Sequence, residues 1–131
     1  MYDQFETAAE NDFIRENRQH GGDQYALDTM MNHWGGYVPD AALDAMVQLG
    51  ITHVRVPVGY WITDSPISGS SNRERSFQTE GFVTGGIVFL EGLLAKLKLR
   101  GVRALIDVHA MPGGASSCQS YAGISTNEPG F

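Results

Sequence analysis

The sequence predicts an α/β fold in which parallel strands are joined by crossover helices. Residues 51–59 and 102–109 both alternate side chains with the two-residue period of a β-strand. A helical repeat of apolar residues precedes each strand, and each repeat is closed by a glycine, Gly50 or Gly101. The order helix–strand–helix–strand with short links is typical of parallel sheets and barrels.

The N-terminal part is the least regular region of the sequence. Apolar residues at every fourth position predict a polar helix over residues 5–18, which ends at the glycines of residues 20–23. A second short helix is predicted around residues 26–31, and residues 34–37 are predicted to form a loop.

The remaining elements follow in chain order. A helix begins with Asp40 as its N-cap and ends before Gly50, and a second helix is predicted over residues 87–100. Between the first strand and this helix, residues 62–86 form a long polar insertion, and insertions of this length are usually functional or mobile. The tail from residue 110 to residue 131 has no periodicity and is predicted as loop.

Polar residues occur near the C-terminal ends of both strands, where sites of parallel α/β folds lie. Arg55 on the first strand and Asp107 and His109 on the second are expected to face one cavity. A buried arginine is costly unless a carboxylate or polar ligand meets it. Two interpretations stay open. In one, Arg55 keeps a carboxylate ionised while His109 donates to a hydroxyl group; in the other, a salt-bridge network merely fills a barrel.

Two aromatic residues follow directly after the first strand. Tyr60 and Trp61 lie at its mouth, where their rings suit stacking on the face of a sugar. Ordinary packing beneath the long insertion is the competing interpretation. His33 and Trp34, beside glycines, are interpreted as packing residues.

The composition narrows the function classes. The chain has 131 residues and a net charge of −6, which argues against nucleic acid and anionic membranes as partners and is compatible with a neutral sugar. The sequence contains no apolar run of membrane-spanning length, and its first residues carry no basic and apolar leader. Its single cysteine, Cys118, excludes an internal disulfide bond.

Metal and cofactor chemistry find little support in the sequence. Asp107 and His109 form a two-ligand pair, but no second histidine or cysteine pair lies at ligand spacing, so no metal site is expected. Gly113 and Gly114 follow a strand but open no helix, so no dinucleotide cofactor is expected either.

The strand motifs carry a resemblance to a known family. Residues 50–61 (GITHVRVPVGYW) resemble the second-strand motif of glycoside hydrolase family 5, in its branch of exo-β-1,3-glucanases, also called glucan 1,3-β-glucosidases. Residues 105–114 (LIDVHAMPGG) resemble the third-strand motif of that family, in which Asp-x-His leads into a Pro-Gly loop. The placement of His33 and Trp34 matches as well, so the resemblance covers residues 32–131.

The resemblance implies a partial (β/α)8 TIM barrel, roughly strands 2 and 3 with their flanking helices, from an enzyme that hydrolyses β-glucan with retention. Such enzymes use two carboxyl groups about 5–5.5 Å apart. It also implies that Arg55 hydrogen-bonds the nucleophilic glutamate and that His109 lines the sugar subsite next to the scissile bond. Both catalytic glutamates of the family are expected beyond Phe131. Glu128 lies in a similar Asn-Glu-Pro tripeptide, but the preceding residues contain no helix or strand pattern, so Glu128 is predicted to be a loop residue.

We therefore expect residues 1–31 to form an irregular, partly helical segment and residues 32–131 to form a partial glycoside hydrolase barrel. The chain alone is expected to be inactive and to contact a β-glucan polysaccharide or oligosaccharide, with no cofactor. Two alternatives stay open: a non-catalytic carbohydrate-binding partial barrel, and an endo-β-glucanase of the same family. For the full-length parent, the resemblance implies action outside the cell or in the cell wall.

Overall fold

The computed structural model describes residues 9–63 and 81–114, together with residues 117, 123, 124, 126 and 127. The elements in chain order are helix α1 (Glu10–Gly36), helix α2 (Asp40–Gln48), strand β1 (His53–Gly59), a 3₁₀ turn (Tyr60–Ile62), helix α3 (Ile87–Leu99) and strand β2 (Arg103–Ala110). Among these helices, none is long and apolar enough to cross a membrane.

Helix α1 is kinked, and both of its arms belong to the same core. The backbone at Gly22 has φ 79° and ψ −176°, a conformation available essentially only to glycine. The two predicted helices therefore meet at a sharp kink, and residues 5–8 of the first lie outside the described part of the chain. The loop predicted from residue 34 is wrong, because the helix continues to Gly36. There the ring of Trp34 packs against Phe89 of α3, and this tertiary contact outweighs the weak helix propensity of the glycines.

Helix α2 begins one residue earlier than predicted. Pro39 occupies the N-cap position and Asp40 is the first helical residue, so the prediction of Asp40 as N-cap is wrong. The Asp40 carboxylate instead pairs with Lys96 and Arg100 of α3, each at 3.2 Å. The end of the helix is as predicted, since Gly50 has a positive φ of 77°.

The two strands pair in parallel, as predicted. The register places Arg55 opposite Leu105 and Pro57 opposite Asp107, and it shifts between Val58 and Gly59. One face of the pair packs on α2 and α3. We call this the sheet core; it comprises the buried residues Leu43, Leu97 and Val102 with the partly buried Val38, Met46, Val54, Leu93 and Ala104.

A second cluster, the α1 core, joins α1 to the ends of both strands. It comprises the buried residues Phe13, Ile14, Ala26, Met30, Tyr60, Trp61, Phe82, Val83 and Ala110. Phe82 and Val83 belong to the predicted polar insertion of residues 62–86, but both are buried, so the expectation of a polar insertion is wrong for these two residues. Most of that insertion, residues 64–80, lies outside the described residues.

The other face of the strand pair is open in the described chain. Leu105 lies on this face with 66% of its surface exposed, although leucine prefers a core. On the helix side, Ile106 and Val108 of β2 are exposed as well. Helix α1 runs through the expected segment boundary between residues 31 and 32 without a break. The partial barrel stays a prediction.

Candidate functional site

Arg55 and Asp107 form an ion pair across the two strands. The guanidinium donates through Nε and Nη2 to a single oxygen, Oδ2 of Asp107, at 2.9 and 2.5 Å. The parallel register makes this contact possible, because Asp107 lies two positions further along β2 than the residue opposite Arg55. The hydrogen bonds from Arg55 lower the pKa of Asp107 from its ordinary value, so the carboxylate is held ionised.

The expectation that Arg55 is buried is wrong for this chain. Its side chain is 59% exposed, whereas that of Asp107 is 26% exposed. The reason is that no described element covers the face of the sheet from which the Arg55 side chain projects. Exposure also weakens the pair, since solvent screens charges at a surface.

His109 completes the cluster, as the sequence predicts. Its Nδ1 lies 3.1 Å from Oδ2 of Asp107 and 3.1 Å from Nη2 of Arg55. The register passes from Val58 opposite Val108 to Gly59 opposite Ala110, so His109 is an extra residue of β2 at this irregularity. Such bulges redirect a side chain at the end of a strand, and they are often found beside active sites.

The three side chains, which we call the strand-end triad (Arg55, Asp107 and His109), offer a defined set of polar groups. Arg55 provides further N–H donors beyond those used on Asp107, and His109 provides an imidazole that is 37% exposed. The charges of Arg55 and Asp107 cancel, so the triad suits a neutral polar ligand better than a strongly charged one. Both interpretations from the sequence include an ion pair of this kind.

Tyr60 and Trp61 do not join the strand-end triad. Both are buried in the α1 core, and the Trp61 ring stacks on Phe82 with a centroid separation of 3.6 Å and an interplanar angle of 3°. Tyr60 packs edge-on against both rings. One face of the Trp61 ring is therefore occupied by a neighbouring residue, which favours the packing interpretation over stacking on a sugar.

Glu10 is a partly buried titratable group that no sequence pattern singles out. Its Oε1 accepts a hydrogen bond of 3.0 Å from the indole N–H of Trp61. Burial raises the pKa of Glu10 to about 7, and the bond from Trp61 acts in the opposite direction. No signal marks this residue in the sequence, because a glutamate in the first turn of a helix is ordinarily exposed and favourable.

A cavity of about 620 Å³ runs along the edge of β1. Its walls include every residue from 54 to 59, so it contacts both faces of the strand, and α2 and α3 contribute apolar side chains. Glu10 and His33, from opposite ends of α1, also line it, because the kink at Gly22 folds the helix back. Burial lowers the pKa of His33.

His33 and Trp34 serve as packing residues, as expected. The His33 ring lies edge-on to Tyr37 at 5.0 Å, and Trp34 packs against Phe89 at 5.9 Å. Within the described ranges, no three histidine, cysteine or acidic side chains converge in a way that would hold a metal ion. Cys118 and Glu128 lie outside the described residues, and the prediction that Glu128 is a loop residue stays a prediction.

The sequence comparisons point to a class of proteins that act on glucans. No family model matches the chain, but the chain is similar to curated proteins named glucan β-glucosidases. The glucan endo-1,6-β-glucosidase B of Emericella nidulans is 31% identical over 110 residues, which cover 84% of this chain and 25% of that protein. The probable glucan 1,3-β-glucosidase A of Aspergillus niger is 32% identical over 92 residues, covering 70% of this chain and 20% of that protein.

A third relative, the probable glucan endo-1,6-β-glucosidase B of Neosartorya fischeri, is 30% identical over 110 residues, covering 84% of this chain and 26% of that protein. The chain thus spans about a quarter of the length of the relatives that it matches. A match over 110 of 131 residues leaves 21 residues outside it, so it must include both strands of the sheet. The chain therefore resembles part of a glucan hydrolase, and the matched span contains the strand-end triad.

Proposed function

We propose that this chain is a substrate-facing part of a retaining β-glucan glycosidase of the glucan 1,3-β-glucosidase type. The strand-end triad carries the proposal: Arg55, Asp107 and His109 converge at the C-terminal ends of two parallel strands, within the region that is similar to glucan β-glucosidases. Ligand sites use a small number of precisely placed polar groups of this kind to fix the orientation of the ligand.

The proposed architecture is a partial (β/α)8 barrel. In its support, β2 exposes Leu105 on one face and Ile106 and Val108 on the other. Soluble sheets rarely leave apolar side chains in water on both faces, and the edges of a two-stranded sheet need cover. Further strands and a further helix, as in a barrel, would cover these residues.

The proposed role is binding without turnover. Retaining hydrolysis needs two carboxyl groups about 5–5.5 Å apart. The triad offers one carboxylate, Asp107, and Arg55 already engages it. Glu128 is proposed to be a loop residue, and the catalytic glutamates are proposed to belong to the longer parent enzyme, acting outside the cell or in its wall.

Hydrolysis by the chain itself is the direct test. Purified 131-residue protein is incubated with laminarin, a β-1,3-glucan, and the released glucose is compared with that from a boiled control. We expect no difference. Release of glucose above the control would overturn the proposed lack of turnover, and Glu128→Gln would then show whether Glu128 is the acid.

Binding tests the substrate class. We expect laminari-oligosaccharides to shift the resonances of Arg55 and His109 in ¹H–¹⁵N spectra of the chain, and cello-oligosaccharides to serve as the linkage control. Arg55→Gln is the variant that removes the charged donors, and Arg103→Gln, on the same strand pair but away from the triad, is its matched control. Equal binding by wild type and Arg55→Gln would contradict the proposal.

A β-1,6-linked glucan is the second candidate substrate. It is favoured by one observation: the relatives named endo-1,6-β-glucosidase match 84% of the chain, against 70% for those named 1,3-β-glucosidase. Gentio-oligosaccharides, which carry β-1,6 links, are therefore titrated beside the β-1,3 series. Tighter binding of the gentio series would replace the 1,3 assignment with the 1,6 assignment.

A non-catalytic carbohydrate-binding protein is the remaining alternative. A stable monomer that binds glucan at equilibrium would favour it. The exposed apolar residues of β2 argue against it, since a finished binding domain would bury them. Sedimentation analysis of the purified chain separates the two, because an incomplete barrel is expected to self-associate.

A further inference from the structure

The first arm of α1, residues 10–21, is hydrogen-bonded to the segments that follow both strands. We call this arm the strap. Its Arg18 donates through Nη1 to the carbonyl oxygen of Gly81, in the segment beyond β1. The backbone N–H of Asn11 donates to the carbonyl oxygen of Gly123, beyond β2, at 3.1 Å. The strap therefore joins these two segments at the end of the sheet where the strand-end triad lies.

Trp61 is the junction between the strap and these segments. Its ring stacks on Phe82, and its indole N–H donates to Glu10 of the strap at 3.0 Å. The ring also lies so close to Gly59 and Gly123 that neither position has room for a Cβ. Four parts of the chain thus meet at one side chain, and the Glu10 carboxyl is the group of the strap that contacts its polar atom.

The strap has a hinge and a core of its own. Gly22 interrupts the helical backbone of α1 with φ 79° and ψ −176°, and hinges are single positions that absorb such a change. The strap contributes Phe13 and Ile14 to the α1 core, whereas none of its residues belongs to the sheet core. Parts of a protein with separate contacts open at separate free-energy costs. Release of the strap therefore leaves the contacts of the sheet core in place.

The charged groups near Glu10 do not replace the water that it loses. Among the described residues, the other titratable side chains lining its cavity are His33, Tyr37, Arg55 and Lys96, and the strap itself carries Asp12, Arg15, Glu16, Arg18 and His20. Residues 81–86, 123 and 124 carry none. Arg55 is paired with Asp107 and Lys96 with Asp40. Burial is the largest influence on the pKa of Glu10, and the bond from Trp61 acts against it.

We propose that the strap opens about Gly22 as a unit, that ionisation of Glu10 promotes this opening, and that opening frees the segments beyond β1 and β2. Burial raises the pKa of Glu10 to about 7 in the closed form, whereas opening returns the carboxyl to water and its ordinary value of 4.5. The open form therefore gains on the closed form as the pH rises from 4.5 to about 7. The device rests on contacts within the chain and on no ligand, so it stands apart from the proposed function.

Hydrogen exchange of the 131-residue chain tests the separate opening. The indole N–H of Trp61 and the amide of Asn11 report the strap, and the amide of Arg103, which donates to the carbonyl of Thr52 at 2.9 Å, reports the sheet. The sequence has two tryptophans, so Trp34→Phe assigns the indole signal. We expect the strap reporters to be at least about tenfold less protected than Arg103 at the same pH. Equal or greater protection of the strap reporters would overturn the proposal.

The pH dependence tests the role of Glu10. Protection factors, which correct for the intrinsic effect of pH on exchange, are compared at pH 5 and pH 8. We expect those of the strap reporters to fall roughly 10- to 100-fold in the wild type, and to show no such fall in Glu10→Gln, which cannot ionise. Asp12→Asn, which removes another carboxylate of the strap, is the matched control and should keep the fall.

Three outcomes would overturn the role of Glu10: no fall in the wild type, an equal fall in Glu10→Gln, or loss of the fall in Asp12→Asn. If Glu10→Gln does not fold, the wild type and Asp12→Asn still decide whether the fall exists and whether another carboxylate of the strap causes it.

A second pair of variants tests the attachment of the strap. Arg18→Gln removes the bond to Gly81 and the ion pair with Asp23, which spans the hinge at 2.8 Å. We expect the strap reporters of this variant to lose roughly three- to tenfold of their protection at pH 5, the usual worth of one hydrogen bond. Arg15→Gln is the control, since the ion pair of Arg15 with Asp12 lies within the strap. Equal protection of the strap reporters in the two variants would contradict the proposed attachment.

Discussion

The carboxyl group of Glu10, in the first turn of α1, accepts a hydrogen bond of 3.0 Å from the indole N–H of Trp61, just beyond the end of β1. The two residues are 51 positions apart in the chain. Burial raises the pKa of this carboxyl to about 7. The protonation state of Glu10 near neutral pH is therefore coupled to the packing of Trp61, at the end of the strand that carries Arg55.

The first prediction concerns stability against pH. Glu10 has a folded-state pKa of about 7 against 4.5 ordinarily, so the folded protein retains a proton that the unfolded chain has released between these values. The contribution of Glu10 to the free energy of unfolding is fully present below pH 4.5 and is lost as the pH rises to about 7. The loss is on the order of 3 kcal/mol. Urea unfolding followed by tryptophan fluorescence across this range measures it.

Glu10→Gln is the control for this prediction, because the amide keeps an acceptor for Trp61 and cannot ionise. The variant is expected to lack the decline, and to be more stable than the wild type at neutral pH. Burial lowers the pKa of His33, so the stability contribution of His33 changes with pH in the opposite direction to that of Glu10. This contribution is the same in the wild type and in the variant. A decline of equal slope in Glu10→Gln would show that Glu10 is not its source.

The second prediction concerns the kink of α1. Gly22 has φ 79° and ψ −176°, so Gly22→Ala is expected to lower the free energy of unfolding by about 1–3 kcal/mol. The cause is backbone strain alone, since nothing lies within 4 Å of a Cβ at this position. Chemical denaturation measures the change.

Gly36 provides the matched control in the same helix. A Cβ there also meets nothing within 4 Å, but its φ is not in the left-handed region. Gly36→Ala is expected to be neutral or to stabilise the protein by up to about 1 kcal/mol. Equal effects of the two substitutions would contradict the assignment of strain to Gly22.

The third prediction concerns the stacked rings of Trp61 and Phe82. Each single change to leucine should destabilise the protein, and the double variant should lose about 0.5–1.5 kcal/mol less than the sum, because the ring contact is lost only once. Unfolding free energies of the four proteins give this coupling. The losses of unfolding free energy from Trp61→Leu and from Leu43→Ala, which lies in the separate sheet core, should be additive. A coupling of equal size in that pair would show that the first coupling does not report the ring contact.

The fourth prediction concerns the geometry of the guanidinium. Arg55→Lys keeps the positive charge but cannot donate to Oδ2 of Asp107 through two nitrogens. We expect glucan oligosaccharides to bind this variant roughly tenfold more weakly, the loss of one charge-assisted contact. Calorimetric titration measures the affinity. Arg103→Lys, elsewhere on β2, is the control, and an Arg55→Lys affinity equal to that of the control would show that charge alone suffices.

Much of the sheet is predictable from the sequence. The two-residue alternation of β1 and β2 and the closing glycines Gly50 and Gly101 place both strands and the helix between them. Arg55, Asp107 and His109 meet as expected, since parallel strands bring residues at similar depth together. The alternation does not reveal the shift of register at His109, because a bulge leaves no change in composition.

The α1 core escapes prediction for a physical reason. Phe82 follows a long polar stretch and Glu10 lies in a weakly amphipathic helix, so neither belongs to a local pattern. Their positions depend on contacts between distant parts of the chain, and local propensity carries no information on these. The burial of Trp61 follows from the same contacts, which decide for packing where the sequence left two interpretations open.

The α1 core also has a consequence for the order in which the chain is made. The core around Phe13 and Ile14 is complete only when Phe82 and Ala110 pack into the same cluster. Since the ribosome releases the N-terminal residues first, α1 emerges long before its partners and must keep its apolar side chains in water or in transient contacts. The sheet core, which uses residues 38–104, can close earlier. The N-terminal arm of α1 is therefore synthesised before α2 and α3 but finds its place after them.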